Sequence, residues 1–412
     1  MAARNVRLLK GVLGVLPLLA VASAGVLESQ PLLPSGREIP VSLSGGRFEG
    51  PRVAVLPNGG FVAAWTVADR RTPHSRTLIR ARFFARDGTA RSGEIDLHEP
   101  ANPDLGTLAV AADLGFWMTW DQEDLGRRLS AVARRYDRRG RPLTPPFVVH
   151  APSPLDRADA RLAVAPDGGV VIAWAAEGLD FSTSESFDDT VVRFFAPDGT
   201  PRSPELNLGH GDQGDSHPAG IGVAADGSAW ILQEIWADGR ADLKLQHLAA
   251  DGTIGPSLAV CQGSVVCTPA DSGVPFVEQG ALAMRRDGSF VALWAYTENE
   301  IPPAPFRSVI QGRLFAGDGT PLGDAFQVNA DRDGEVDPVV ATLPDGRFIA
   351  LWKHLIDDEI YGRSFAADGT PASGDFRLRD GDPGGLAAGD GGAVAIFLSP
   401  RGTIVARRFV AP

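Results

Sequence analysis

The residues in this chain that could do chemistry are oxygen-bearing side chains in segments that break an otherwise regular pattern. Asn329-Ala-Asp-Arg-Asp-Gly-Glu-Val-Asp337 places amide or carboxylate oxygens at its positions 1, 3, 5 and 9, with Gly334 at position 6. A hard cation such as Ca²⁺ takes six to eight oxygens, and this spacing turns alternate side chains inward, so Asn329, Asp331, Asp333 and Asp337 are candidate ligands. A second set comprises Glu234, Trp236, Tyr296, Glu298 and Asp357. Flat aromatics stack on the apolar faces of sugars and carboxylates accept hydroxyl protons, so these residues suit a glycan or peptide ligand. Glycoside hydrolysis needs two carboxylates about 5–9.5 Å apart. Asp188, Glu234, Glu298 and Asp357 are all eligible, and nothing in the sequence selects a pair. There is no Gly-x-Ser-x-Gly elbow, no His-Glu-x-x-His and no glycine-rich phosphate loop.

The elements that must position these residues are written in a repeat. Val339 to Trp352 contains an apolar run, Pro344-Asp345-Gly346, and a second apolar run ending on Trp352. That is a β-hairpin, with glycine at the turn position that needs φ > 0. The turn residue recurs at Asn58, Asp113, Asp167, Asp226, Asp287, Asp345 and Asp390, mostly at intervals of 54 to 61 residues. Seven positions after each comes Trp65, Trp120, Trp174, Gln233, Trp294, Trp352 or Phe397. A fixed place at the end of a second strand makes these aromatics packing residues between repeats rather than a sugar platform. A third strand follows, as in Arg193-Phe-Phe-Ala-Pro-Asp-Gly199, and then a short fourth, as in Glu205-Leu-Asn-Leu208. Four strands per unit at this period predict the blades of a β-propeller.

The two ends of the chain set the blade count. The seventh unit runs from Leu386 to Phe409 and has three strands, while Ser35 to Leu43 reads as a fourth strand with none before it. Pairing one end with the other leaves no open edge. The expectation is an all-β, seven-bladed propeller over residues 36–412, closed by the N-terminal strand.

Residues 1–24 read as a signal peptide, with Arg4, Arg7 and Lys10 before an apolar stretch from Gly11 to Val21 and a small-residue Ala22-Ser-Ala24 site. The apolar stretch is too short for a spanning helix. Residues 25–35 read as a short tether. The net charge of −12 becomes −15 once the three leader cations are gone, which argues against nucleic acid and anionic membrane as partners, because both need a basic face. The protein is expected to be exported, periplasmic or extracellular, and monomeric. Cys261 and Cys267, the only cysteines, are expected to form a disulfide in an oxidising compartment; a redox pair or a metal site is the alternative. His98 and His150 end equivalent fourth strands on adjacent blades, a placement that does not suit a shared metal.

The motifs Leu343-Pro-Asp-Gly346 to Trp352, Arg193-Phe-Phe-Ala-Pro-Asp-Gly199 and Glu205-Leu-Asn-Leu208 resemble the repeats of bacterial exported and surface β-propeller proteins, among them adhesin-like and calcium-associated exoproteins. The resemblance covers almost all of residues 36–412 and implies an exported propeller. The segment from Asn329 also resembles the calcium loops of integrin-type propellers and the start of an EF-hand loop, departing from the latter with Val340 where a bidentate Glu would stand. Two function classes follow: a non-catalytic binding or scaffold propeller for a glycan or protein ligand, or a glycan-active or other hydrolytic enzyme with its site on the loop face.

Overall fold

The computed structural model describes residues 30–43, 47–69, 76–99, 103–123, 128–180, 185–209, 215–237, 240–260, 280–298, 307–330 and 334–411. Its strands form seven four-stranded antiparallel sheets among the described residues, in the ring order of a seven-bladed β-propeller. The first strands of the blades are Phe48–Val55, Asp104–Val110, Arg157–Val164, Asp215–Val223, Gly280–Met284, Glu335–Thr342 and Asp382–Gly389. Each lies beside the next around the ring, and the seventh lies beside the first, so together they wall a central channel.

Ring closure runs as the chain ends imply. In blade seven the order is Leu33–Pro40, Ile404–Val410, Gly392–Leu398, Asp382–Gly389. Ile39 lies opposite Ala406 and Pro40 opposite Val405, and the backbone N–H groups of Val41 and Ser42 both donate to Ile404 O. The closing strand begins at Leu33, so its first residues come from the segment read as a tether, and Leu32 is already buried.

Hairpin geometry accounts for the turn signature. In blade one Gly59 N donates to Leu56 O at 2.8 Å and Leu56 N to Gly60 O at 2.7 Å. This is a type I turn closed by a left-handed residue, a three-residue loop in which proline suits the second position and glycine the φ of +79°. The Asn58 side chain accepts the Gly60 N–H, and the aspartates at 113, 167, 226, 287 and 345 do the same two residues on. Blade two departs from the rule, because Leu114 holds the left-handed position at φ +69°.

Trp65, Trp120, Trp174, Trp294 and Trp352 are fully buried, each packed against the preceding blade. Trp120, for example, shares a cluster with Ile79 and Ala81 of blade one. Gln233 takes the same slot in blade four and donates to Ser216 Oγ, which pairs with Thr190 Oγ1 of blade three. His98 lies against Trp120 at a tilt and His150 against Trp174, so both histidines join the packing between blades. No helix among the described residues is long and apolar enough to cross a membrane.

Candidate functional site

The first strands place a polar cluster in the channel because their pleat is broken at matching points. In blades one, two, three, four, six and seven the first strand carries one extra residue against the second, a bulge that re-aims side chains toward the axis. The cavity enclosed is about 590 Å³ and touches all seven blades. Its two sides differ. Blades one to four contribute Arg52, Asp159, Arg161, His217 and Glu234, whereas blades five to seven contribute Ala281, Leu282, Val339, Val340 and Leu386 with backbone at Pro383 to Gly385. One side carries all the charged groups, set among Val53, Leu108, Leu162 and Ile221, and the other is uncharged.

His217 is the centre of the charged wall. Its Nδ1 lies 3.6 Å from Asp159 Oδ2 and its Nε2 3.4 Å from Asp188 Oδ2, which ties the first strand of blade four to two strands of blade three. The contact with Asp159 and the charge of Asp188 raise the imidazole above its ordinary value, and the same histidine holds Asp159 below the usual carboxylate range. Burial, aided by Asp215 and Glu177, pushes Asp188 up. Asp159 itself sits at φ +57°, the left-handed bulge conformation that Gly50 and Asp337 hold at the same place in blades one and six.

Asp121 backs this wall. It follows Trp120 on the second strand of blade two, is 6% exposed, and accepts the Asp159 N–H at 2.7 Å through Oδ2. Its Oδ1 is buried without a protein partner among the described residues. Burial, with help from the charges of Asp159 and Asp104, pushes its carboxyl up to about 7. Glu234 occupies the equivalent place after Gln233 in blade four and accepts the Gly280 N–H of blade five through a short bond from Oε1. Both carboxylates therefore stitch a second strand to the next blade's first strand. Arg52 ties its blade to both neighbours along the channel wall, donating to Gly106 O of blade two and Gly384 O of blade seven. Burial and the charge of Arg161 lower its guanidinium to about 10, so it remains a cation at neutral pH.

Of the residues singled out in sequence, the structure brings Glu234 to the channel and leaves Asp357 elsewhere. Asp357 lies in the hairpin loop of blade six, 2.7 Å from His354 Nδ1 and 3.3 Å from the Tyr361 hydroxyl. Trp236, Tyr296 and Glu298 fall at the ends of second strands, and their side chains lie outside the described residues. In the oxygen-rich segment, Asn329 is buried and its Oδ1 accepts the Ile310 N–H at 2.8 Å, while Asp337 is a left-handed bulge residue at φ +54°. Gly334 has φ +81°, as a sharp turn requires, but Asp331 and Asp333 lie outside the described residues. No group of three or more metal-ligating side chains occurs among the described residues. Residues 1–24, Cys261 and Cys267 also lie outside them.

The sequence pattern does not single out as site residues Arg52, Asp159, Arg161 and His217, which lie on first strands, or Asp121, near the end of a second strand, because only the variable loops stand out from the repeat. The sequence held little signal for them: the place of His217 is taken by Glu49 in blade one and Asp104 in blade two, and that of Asp159 by Asp337 in blade six, so a polar residue there does not mark a site.

Fold and channel together define a seven-bladed β-propeller with a polar-walled axial site. No protein-family model matches the chain, and no curated protein matches it by sequence. Solved structures do match in fold. A chain of the Kuenenia stuttgartiensis hydrazine synthase aligns with a TM-score of 0.54 at 10% identity, over 90% of this chain and 99% of that one. A chain of a mitotic checkpoint complex aligns with a TM-score of 0.51 at 11% identity over 99% of both. The β-propeller domain of Cps50 (Swd1) from Myceliophteria thermophila aligns with a TM-score of 0.47 at 11% identity, over 90% of this chain and 99% of that domain. At these identities the likeness is one of architecture.

Proposed function

We propose that this protein is an exported binding propeller whose axial channel takes a sugar unit of a glycan or a side chain of a protein ligand. The observation that carries this reading is the two-sided wall: hydroxyl-binding charges around His217 face the apolar surface of Leu282, Val339 and Leu386 across one cavity. A pyranose ring, with polar edges and apolar faces, has the same division. Binding is favoured over hydrolysis because each acid already holds a partner through at least one oxygen: Asp121 and Glu234 hold backbone N–H groups, and Asp159 and Asp188 hold His217.

A hydrolytic reading draws on one feature, the opposed titration of neighbours Asp121 (raised) and Asp159 (lowered), the arrangement that gives an acid and a base at one pH. A glycan array run beside a hydrolysis screen separates the two. Retention of intact glycans that is lost in His217→Ala supports binding, and turnover abolished in Asp121→Asn supports the enzyme. Export itself is supported by the leader-like composition of residues 1–24. Its test is N-terminal sequencing of protein recovered outside the cytoplasm, which should begin at Gly25; the same sample, unfolded without reductant, should show no free thiol.

A further inference from the structure

A second cleft lies on the opposite end of the ring, among the turns that join first to second and third to fourth strands. It has a volume of about 640 Å³ and spans blades seven, one and two. Its rim carries Arg86, Arg91, Arg138 and Arg408, against the single carboxylate of Asp87. Its floor is apolar, with Leu56, Phe83 and Leu114.

Four guanidiniums gathered on a molecule of net charge −12 need an explanation. None of them makes a side-chain hydrogen bond or ion pair with a described residue; Arg91 acts on Asp87 only as a longer-range charge. Four arginines at or beside the turns of other blades are neutralised. Arg135 holds Asp113 at 2.6 Å, Arg347 holds Asp345 at 2.8 Å, Arg286 holds Asp390 at 2.9 Å, and Arg202 binds Asp167. In each case the acid is the turn residue of a first hairpin. The one blade whose turn residue is not an acid is blade one, where Asn58 stands, and Asn58 lines this cleft. The neighbouring turn contributes Leu114, a bulky side chain at the left-handed position that glycine holds at residues 59, 168, 227, 288 and 346. Strain of this kind is kept where the side chain has a use, and here it completes the floor.

We propose that this cleft binds a carboxylated or sulfated polysaccharide segment. Guanidiniums present forked donors that match carboxylate and sulfate oxygens, and four of them spread over three blades suit a chain with charges repeated along its length. The floor of Leu56, Phe83 and Leu114 offers a surface for the apolar face of a sugar ring. The choice of a glycan over other polyanions rests on the export reading, which N-terminal sequencing tests separately.

The test is calorimetric titration of the full chain with oligogalacturonate, a heparin oligosaccharide and a neutral malto-oligosaccharide of similar length, with polyglutamate and single-stranded DNA as competing polyanions. The expected result is binding of at least one anionic glycan, no binding of the neutral one, and an affinity that falls steeply with NaCl. The double variant R86E/R408E should lose at least tenfold in affinity while R139E, a charge reversal at an exposed arginine outside the cleft, keeps it. R86Q/R408Q supplies the same comparison should the reversals unfold the chain. Equal affinity of wild type and either double variant, no binding of either anionic glycan, or tighter binding of polyglutamate or DNA than of both glycans overturns the proposal. Failure of the channel reading shows instead in His217→Ala, at a residue that the cleft does not touch.

Discussion

Removing the charge of Asp121 should stabilise the protein, and increasingly so as pH rises. The unfolded carboxyl titrates near 3.8 and the folded one near 7, because 6% exposure strips its water and Asp159 and Asp104 add negative charge. The folded chain therefore holds a proton that the unfolded chain has released, and stability falls with pH between the two values. At pH 5 the penalty is already part-developed; by pH 8 it is complete. Linkage across that interval gives roughly 2–3 kcal/mol of further destabilisation in the wild type. Asp121→Asn keeps an oxygen for the Asp159 N–H and places the amide where Oδ1 has no protein partner among the described residues. Any cost of that amide is the same at every pH, so it cancels from the pH dependence. His217, whose raised value makes its contribution present below about 6.5 and lost as pH rises through the folded value, is common to both proteins. The measurement is urea unfolding of wild type and Asp121→Asn from pH 5 to pH 8. The stability difference should grow in the variant's favour by roughly 2–3 kcal/mol. A difference constant across that range would mean that Asp121 titrates as an ordinary carboxyl, and the burial argument for the channel's electrostatics would fall with it.

Other outcomes follow from the ring itself. Deleting residues 30–43 removes the strand paired with Ile404–Val410 and should lower Tm by about 10 °C or more, as several kcal/mol do in a chain of this size; an unchanged melting curve refutes closure by this strand. Trp352→Ala, at a fully buried site packed on blade five, should cost about 3–5 kcal/mol in denaturant unfolding, and a stable variant that has lost ligand binding would place Trp352 at a ligand instead. Leu114→Gly relieves a left-handed side chain and should raise stability by about 1 kcal/mol; a loss would show that its packing outweighs the strain.

The architecture was legible because it is written locally and many times. A Pro-Asp-Gly turn needs only its own residues to set φ, and a tryptophan seven positions later marks the inward face of a second strand whatever blade it belongs to. Even closure could be read, since three strands at one end and one at the other admit a simple pairing. Glu234 was recognised as a candidate, yet its engagement with Gly280 was not, because that N–H belongs to the next blade. The channel site lies on the same side of this divide. Asp121, Asp159, Asp188 and His217 come from three blades and form no spacing motif, and they meet only where the first strands of blades three and four pack against their neighbours in the ring. The arginine cleft joins Arg408 to Arg86 and Arg138 across the closure point, residues that no local pattern relates. Local sequence determined the blade, since turn and strand preferences act over a few residues; the charges, free energies and neighbours at the axis and the cleft were decided by closing seven blades into a ring, which brings distant residues together and removes the water between them.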